Sequence, residues 1–261
     1  MNATARNKKA KAAKGGMWRS LLLLLLFAWT LRSLVVAPFS IPSASMLPGL
    51  YVGDYLLVAK WPYGYSRASF LFGVPPMDGR VLSRLPARGD VAVFRGPTGN
   101  DVIKRVIGLP GDVVATRRGI LLLNGRTVER RALRPMQVRL SPNSICQPEL
   151  LIAASCRYPA YRETLPGGRK YVVLDQADIP AVDDFGPVRV PDNSVFVMGD
   201  NRDDSADSRV APGLGGMGFV PTEALVGRAL ITFWSTDGSA NWLLPWTWVS
   251  AARFERIGDG H

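Results

Sequence analysis

The sequence predicts a mainly β fold, in which a single N-terminal transmembrane helix precedes an extracytoplasmic antiparallel β-sheet domain. The chain has 261 residues, of which 47% are hydrophobic and 20% charged, so it can bury a core and is neither disordered nor polytopic in a membrane. One apolar stretch near the N-terminus has the length of a membrane span. After it, short apolar runs alternate with turn residues, and no long 3.6-residue apolar repeat appears.

The first two elements are a basic tail, residues 1–16, and an apolar segment, residues 17–37, which we interpret as a retained signal anchor. The apolar segment is centred on Leu21 to Phe27, and about 20 such residues cross a bilayer. Arg32 lies near its far end, where a long basic side chain can reach the interface. Because the basic residues precede the span, the positive-inside rule predicts a cytoplasmic N-terminus.

A removable secretory signal peptide is the alternative interpretation, since a basic region, an apolar region and small residues before Pro38 are all present. Two features favour retention. The apolar segment is longer than the usual core of a signal peptide. Pro38 directly follows the one plausible cleavage point, and its fixed φ and missing N–H suit a protease's extended substrate site badly.

The formal net charge of +11 suggests a nucleic-acid partner until its location is considered. Residues 1–38 carry seven of the 32 basic residues and none of the 21 acidic ones, so the remaining residues hold 25 basic against 21 acidic side chains. The body is only mildly basic, and it contains no zinc-finger spacing and no basic stripe interleaved with aromatic residues. We therefore expect contact with the lipid bilayer and no nucleic-acid partner.

Residues 38–261 are expected to form one β domain. Asn124-Gly125 is a strong signal for a two-residue hairpin turn. Residues 61–88 and 129–168 are interpreted as long excursions from the core sheet. The predicted strands are 55–60, 90–95, 101–107, 112–116, 120–123, 171–174, 194–198 and 226–234.

The cysteine and histidine content restricts the chemistry. Cys146 and Cys156 are the two cysteines, and outside the cytoplasm they can pair, with two free thiols as the alternative. Neither a metal site nor a cofactor is expected, because two cysteines and the terminal His261 make no ligand set. The absence of an interior histidine also excludes Ser-His-Asp and Cys-His catalysis. A serine paired with lysine, a carboxylate pair, or no catalysis remain.

Ser43 and Ser45 lie in a Pro-bounded segment a few residues after the apolar stretch. Two serines two residues apart in extended chain point to the same side, so one hydroxyl nucleophile and one hydroxyl donor can share a site. A serine-rich linker is the plainer interpretation of this composition.

Lys104 lies in a predicted strand on the same face as Val102 and Val106. If that face is buried, desolvation lowers the lysine pKa and provides a neutral amine near pH 7. An edge lysine whose amine reaches water is the alternative. A third segment, Gly199 to Arg209, is a dense polar loop directly after a strand, which alone fits a calcium-type loop or a solvated turn.

Together these segments resemble the bacterial type I signal peptidases. The matching motifs are S-x-S-M-x-P at Ser43 to Pro48, K-R-x-x-G-L-P-G-D at Lys104 to Asp112, and G-D-N-R-D-x-S-x-D-S-R at Gly199 to Arg209. Their order and separation also agree, and the resemblance runs from about residue 31 to residue 258. The sequence departs from the family pattern at two places. Gly49 stands where the family often has Thr, and the stretch at 210–217 is longer than expected. Two intervening segments match as well, Gly53 to Tyr55 and Arg88 to Phe94.

The resemblance implies a Ser/Lys dyad protease of the signal-peptidase fold. Ser45 would be the acylated nucleophile and Lys104 the general base. The Ser45 backbone N–H and the Ser43 hydroxyl would form the oxyanion hole, and Ser205 would orient the lysine amine. Supporting polar residues would be Arg105, Asp200, Asp207 and Arg209.

The resemblance also implies a substrate class, exported preproteins, which would be cut after small residues at positions −1 and −3. The enzyme would be a monomer in the inner membrane, with its catalytic domain in the periplasm. Two other functions stay open, a dedicated Ser/Lys maturation peptidase of a conjugation-type system and a non-catalytic membrane-anchored scaffold. The pocket residues would be Phe39, Ile41, Met46 and Ile103.

Overall fold

In the computed structural model, the described residues are 3–144, 146, 148–241 and 243–261, with side chains from Met17 onward. Helix α1 (Ala3–Thr30) continues as a π-helical turn over Leu31–Val35, and the described chain has one helix long and apolar enough to span a membrane, Met17–Val35. Strand β1 begins at Val36, so the predicted segment 17–37 extends two residues beyond the helical backbone. Pro38 follows, and proline disfavours helix in the residue before it.

The β-rich body confirms the mainly β fold. Two short helices accompany the strands, α2 (Pro180–Asp183) and α3 (Trp246–Ala251). The first strands are β1 (Val36–Ser40), β2 (Asp54–Ala59), β3 (Tyr65–Ser66), β4 (Arg80–Val81), β5 (Val91–Arg95), β6 (Asp101–Gly108), β7 (Val113–Arg117), β8 (Ile120–Leu123) and β9 (Arg126–Thr127). The others are β10 (Glu129–Ala132), β11 (Met136–Arg139), β12 (Leu151–Ile152), β13 (Ser155–Tyr158), β14 (Ala160–Thr164), β15 (Lys170–Leu174), β16 (Val188–Arg189), β17 (Ser194–Met198), β18 (Val220–Pro221) and β19 (Leu225–Ser235).

The main sheet has seven antiparallel strands in the order β1-β2-β19-β5-β6-β17-β18. The eight predicted strands are confirmed as β2, β5, β6, β7, β8, β15, β17 and β19, with end positions that differ by a residue or so. This sheet places β6 beside β17, so the strand that carries Lys104 runs next to the strand that leads into the polar loop at Gly199.

The turn at Asn124-Gly125 confirms the predicted hairpin. Both residues have positive φ angles, 52° and 75°, as the two central positions of a type I′ turn require. The turn joins β8 to β9, which pair through Leu123 and Arg126 in the four-stranded sheet β16-β7-β8-β9.

The region interpreted as an excursion, residues 129–168, contains strands of its own. It holds β10 to β14, which belong to two small sheets, β10-β14-β15 and β11-β13-β12. Cys146 and Cys156 are joined in a disulfide, and Cys156 lies in β13 opposite Val138 of β11. These strands are only two to five residues long, and β10 to β12 are mostly exposed, so the sequence did not distinguish the region from loop.

Strand β6 is buried on both faces. Its neighbouring residues Val106 and Ile107 point to opposite sides and join different hydrophobic clusters, one with Phe94 and Val197 and the other with Phe196. Each fully buried side chain of this size stabilises the fold by roughly 1.5–3 kcal/mol. Packing on both faces of β6 therefore fixes the backbone around Lys104.

Candidate active site

Ser45 lies in a single 3-10 turn, Ala44–Met46, four residues after β1 ends. The next side chain, Met46, is 0% exposed and fixes the turn in the core. Asn201 holds the same turn from the polar loop: its backbone N–H donates to the Ser45 carbonyl (3.1 Å), and its side-chain amide donates to the Ala44 carbonyl (3.2 Å). The two sequence segments are thus joined directly, and Asn201 is a site residue that sequence reasoning missed.

Lys104 lies in β6 and is 4% exposed, so burial of this strand face, one of the two interpretations of the sequence, is the one observed. Its Nζ donates to the Ser45 Oγ at 2.5 Å, although the two residues are 59 positions apart in sequence. The Ser43 Oγ lies 3.3 Å from the Ser45 Oγ. The structure therefore brings together the nucleophile, the base and the second hydroxyl that the motifs suggested.

The electrostatic environment favours a neutral amine on Lys104. Burial lowers the pKa of Lys104 to about 8, against the opposing effect of the carboxylates of Asp207, Asp204 and Asp200, while Arg209 lowers it further. A neutral amine can accept a proton from the hydroxyl beside it. The lowered pKa increases the fraction of neutral amine beside the Ser45 hydroxyl, as activation of a serine nucleophile requires.

Arg105 and Asp200 form a buried ion pair behind the dyad. The Nε and Nη2 atoms of Arg105 donate to the two carboxylate oxygens of Asp200 at 2.7 and 2.6 Å, and Nη1 donates to the Gly89 carbonyl (2.8 Å). Bidentate contact of this kind fixes both side chains. The pair ties β6, next to Lys104, to the start of the polar loop.

Asp207 and Arg209 organise the loop itself. Asp207 accepts the backbone N–H of Gly199 (3.0 Å) and the Arg209 Nε (3.0 Å) and Nη2 (2.9 Å). Burial alone would raise the pKa of Asp207, but the Arg209 guanidinium and the N–H donors lower it below its usual value. The carboxylate therefore stays charged and closes the loop onto β17.

A buried group that sequence reasoning missed supports the loop from the small sheet. Arg202 donates to both oxygens of Glu163 at 2.8 and 2.5 Å, and the Tyr171 hydroxyl donates to Glu163 at 2.6 Å. Arg202 belongs to the third motif, but nothing in the sequence links it to Glu163, because the contact depends on how β14 and β15 pack.

Ser205 is buried beside the dyad, and its hydroxyl has no hydrogen-bond partner among the described residues. Ser205 was predicted to orient the Lys104 amine, but no hydrogen bond joins these two described residues, and the amine donates to Ser45 instead. The Ser205 side chain lies against Gly199. Its orienting role stays a prediction.

A methyl group at Gly199 is expected to disrupt the site. A Cβ there would lie 2.5 Å from the Ser45 carbonyl oxygen and would also collide with the Ser205 side chain. Gly199→Ala should lower kcat/KM about tenfold or more, because small displacements of reacting groups are costly. Gly213→Ala is the matched control, since its Cβ meets nothing within 4 Å. Equal activity of the two variants would contradict this geometry.

The predicted pocket residues divide into two groups. Ile41 and Met46 pack in the hydrophobic core with residues such as Val58. The Met46 side chain is fully buried, so a substrate cannot contact it. Phe39 and Ile103 are only partly buried. A residue just before or after a tight turn can point inward as easily as outward, which the sequence does not decide. The open cavity at the dyad, about 610 Å³, is lined instead by apolar side chains that include Val102, Ala206, Val210, Leu214 and Met217.

The chain is similar in sequence to known signal peptidases. The family model "Signal peptidase, peptidase S26" matches residues 15–234. The relatives include proteins named signal peptidase I from Rickettsia rickettsii (35% identity, over 96% of this chain and 93% of the relative) and Rickettsia typhi (33%, over 97% and 95%). A signal peptidase I crystal structure from Enterococcus faecalis V583 aligns with 26% identity and a TM-score of 0.30, over 56% of this chain and 97% of that chain.

Proposed function

This chain belongs to the signal peptidase family, peptidase S26, whose members are serine peptidases, and we propose that it removes signal peptides from exported preproteins with a Ser45/Lys104 dyad. One observation carries the assignment of the dyad, the 2.5 Å hydrogen bond between the buried Lys104 Nζ and the Ser45 Oγ. Family membership also disfavours a non-catalytic scaffold.

In the first half of the reaction, the neutral Lys104 amine accepts the Ser45 proton while the Ser45 Oγ attacks the carbonyl carbon at the cut site. The tetrahedral intermediate then collapses as the peptide C–N bond breaks. Lys104 returns the proton to the departing amine of the mature protein. The signal peptide remains as an ester on Ser45.

In the second half, Lys104 accepts a proton from water, and the resulting hydroxide attacks the ester. Collapse breaks the ester bond, Lys104 returns its proton to the departing Ser45 Oγ, and the signal peptide leaves as a carboxylate after its acid proton is lost to solvent. In both halves, the developing oxyanion would be stabilised by the Ser45 backbone N–H and the Ser43 hydroxyl. The position of the Ser43 Oγ, 3.3 Å from the Ser45 Oγ, supports this role.

Membrane attachment supports the choice of substrate. The exposed apolar helix Met17–Val35 fits an anchor, and we assign it a single span with the N-terminus in the cytoplasm and the catalytic domain in the periplasm. The sequence near α3 is rich in tryptophan, which suits either core packing or a surface that lies on the membrane. Trp246 is 70% exposed there, which favours the surface, while Trp242 lies outside the described residues.

The substrate preference tests the proposed function. We expect cleavage only after small residues at −1 and −3. Replacing an alanine at −1 of a model preprotein with phenylalanine should lower kcat/KM by about 100-fold or more. The cavity would have to widen to hold the phenylalanine ring in the transition state, and this widening costs free energy. The full chain in detergent micelles is assayed, and mass spectrometry locates the cut.

A phenylalanine replacement outside the recognised positions, such as −6, is the control and should be tolerated. Equal cleavage of the −1 alanine and phenylalanine substrates would contradict the proposal. Cleavage of one partner protein only, among several preproteins, would favour the dedicated maturation peptidase.

A further inference from the structure

Three carboxylates that the catalytic assignment does not use converge beside the polar loop. Asp175 directly follows β15, Asp183 ends α2, and Asp203 lies in the loop itself. One carboxylate oxygen from each residue lies within 4.8 Å of the other two. The three residues come from separate parts of the chain, so the fold creates the cluster.

Two of these carboxylates have an oxygen that nothing in the described part of the chain satisfies. Asp183 is 3% exposed, and its Oδ2 accepts the Ile179 N–H (2.7 Å) while its Oδ1 is buried without a hydrogen-bond partner. Asp203 likewise accepts backbone N–H groups, including that of Ala177 (3.0 Å), through Oδ2 only, and its buried Oδ1 has no partner. Buried carboxylate oxygens without partners are costly.

The nearby positive charge is too small to balance the cluster. Arg130 pairs with Asp175 and is the cation in direct contact with these carboxylates among the described residues. Arg209 is engaged by Asp207, at 2.9 Å, although it acts on Asp183 at longer range. Asp178 is a further acidic group close enough to interact with Asp183. Three buried or half-buried carboxylates thus face one direct counter-ion.

We propose that Asp175, Asp183 and Asp203 bind a hard divalent cation of the size of Ca²⁺. Carboxylate oxygens are the ligands that such cations prefer, and oxygens at 2.3–2.6 Å from Ca²⁺ on opposite sides are about 4.6–5.2 Å apart. Because 4.8 Å lies below the largest of these separations, the three oxygens are close enough together to share one such ion. Ca²⁺ tolerates irregular coordination, whereas Mg²⁺ requires shorter bonds and near-ideal octahedral geometry, so we expect Ca²⁺ to bind more tightly.

The cation would act on the loop that lines the active-site cavity. Asp203 precedes Asp204 and Ser205, which line that cavity with Lys104. A bound ion would tie this loop to the end of β15 and to α2. The ion therefore has a positioning role, and the proposal does not depend on which reaction the dyad performs.

Direct calcium binding tests the proposal. The full chain in detergent is stripped with EDTA, dialysed, and titrated with CaCl₂ in an isothermal calorimeter. We expect one saturable equivalent with a Kd on the order of 0.1–1 mM, the range of extracellular calcium modules. Addition of CaCl₂ should also raise the Tm, and MgCl₂ at equal concentration should raise it less.

Variants connect the binding to these residues. Asp183→Asn and Asp203→Asn should each weaken calcium binding about tenfold or more, because a charged ligand is lost. Asp192→Asn, at an exposed aspartate away from the cluster, should leave the affinity unchanged. Lack of saturable calcium binding to the unmodified chain would overturn the proposal, whether or not a variant folds. So would unchanged affinity in either cluster variant.

Discussion

Replacing Ser45 with alanine is expected to lower kcat/KM for a preprotein by about 10³-fold or more. The variant lacks the oxygen that forms the acyl-enzyme, so only substrate positioning and oxyanion stabilisation would remain. The Ser45 hydroxyl makes no contact that the surrounding backbone needs, since the turn is held through its carbonyl by Asn201. The folded state should therefore be preserved, and steady-state cleavage of a preprotein by the full chain in detergent measures the loss.

Ser43→Ala is the matched control for this variant. It removes a hydroxyl two residues away, 3.3 Å from the Ser45 Oγ, and leaves the nucleophile in place. Loss of one oxyanion donor typically costs about 10²–10³-fold in kcat, so Ser43→Ala should keep measurable activity and still form a covalent intermediate. Substantial turnover by Ser45→Ala with an unchanged Tm would contradict the assignment of the nucleophile.

Replacing Lys104 is expected to cause a loss similar to that of Ser45→Ala, because nucleophile and base act as a unit. Lys104→Met keeps much of the buried volume but removes the proton acceptor. Lys104→Arg keeps a positive charge that does not deprotonate at accessible pH, so it should be equally inactive. Single-turnover kinetics with a preprotein should show that acylation is lost in both variants.

Lys60→Met is the control for the Lys104 variants, because it removes a second buried lysine. Lys60 is also 4% exposed, and burial lowers its pKa to about 8, but its Nζ lies over the Phe39 ring, 5.5 Å from the centroid, and not beside Ser45. Lys60→Met should therefore retain covalent chemistry at Ser45. If Lys104→Arg cleaved preproteins at the rate of the unmodified chain, Lys104 would not be the general base.

The sequence predicted the fold class and the dyad because these features depend on local signals. Alternating or continuous apolar runs bounded by turn residues predicted β2, β5, β6 and β19, which form the centre of the main sheet. The motifs that contain Ser45 and Lys104 have a specific order and spacing. The lack of an interior histidine restricted the possible general bases. The 2.5 Å contact between the two side chains agrees with that reasoning.

The remaining features depend on packing between distant segments. Glu163 and Tyr171 support the polar loop through β14 and β15, whose pairing has no local signal. Met46 was expected to line the substrate pocket, but its side chain is fully buried in the core. The burial of a residue beside a turn depends on which neighbours cover it, and periodicity carries no information on this point.

The pH dependence of kcat/KM tests the central claim, that neutral Lys104 is the base, most directly. The pKa of Lys104 is lowered to about 8, so the amine is mostly neutral above that pH and becomes protonated below it. For the full chain in detergent with a preprotein substrate, activity should be constant above about pH 8–9 and fall about tenfold per pH unit below pH 8. A profile that stays flat down to about pH 5 would contradict the dyad.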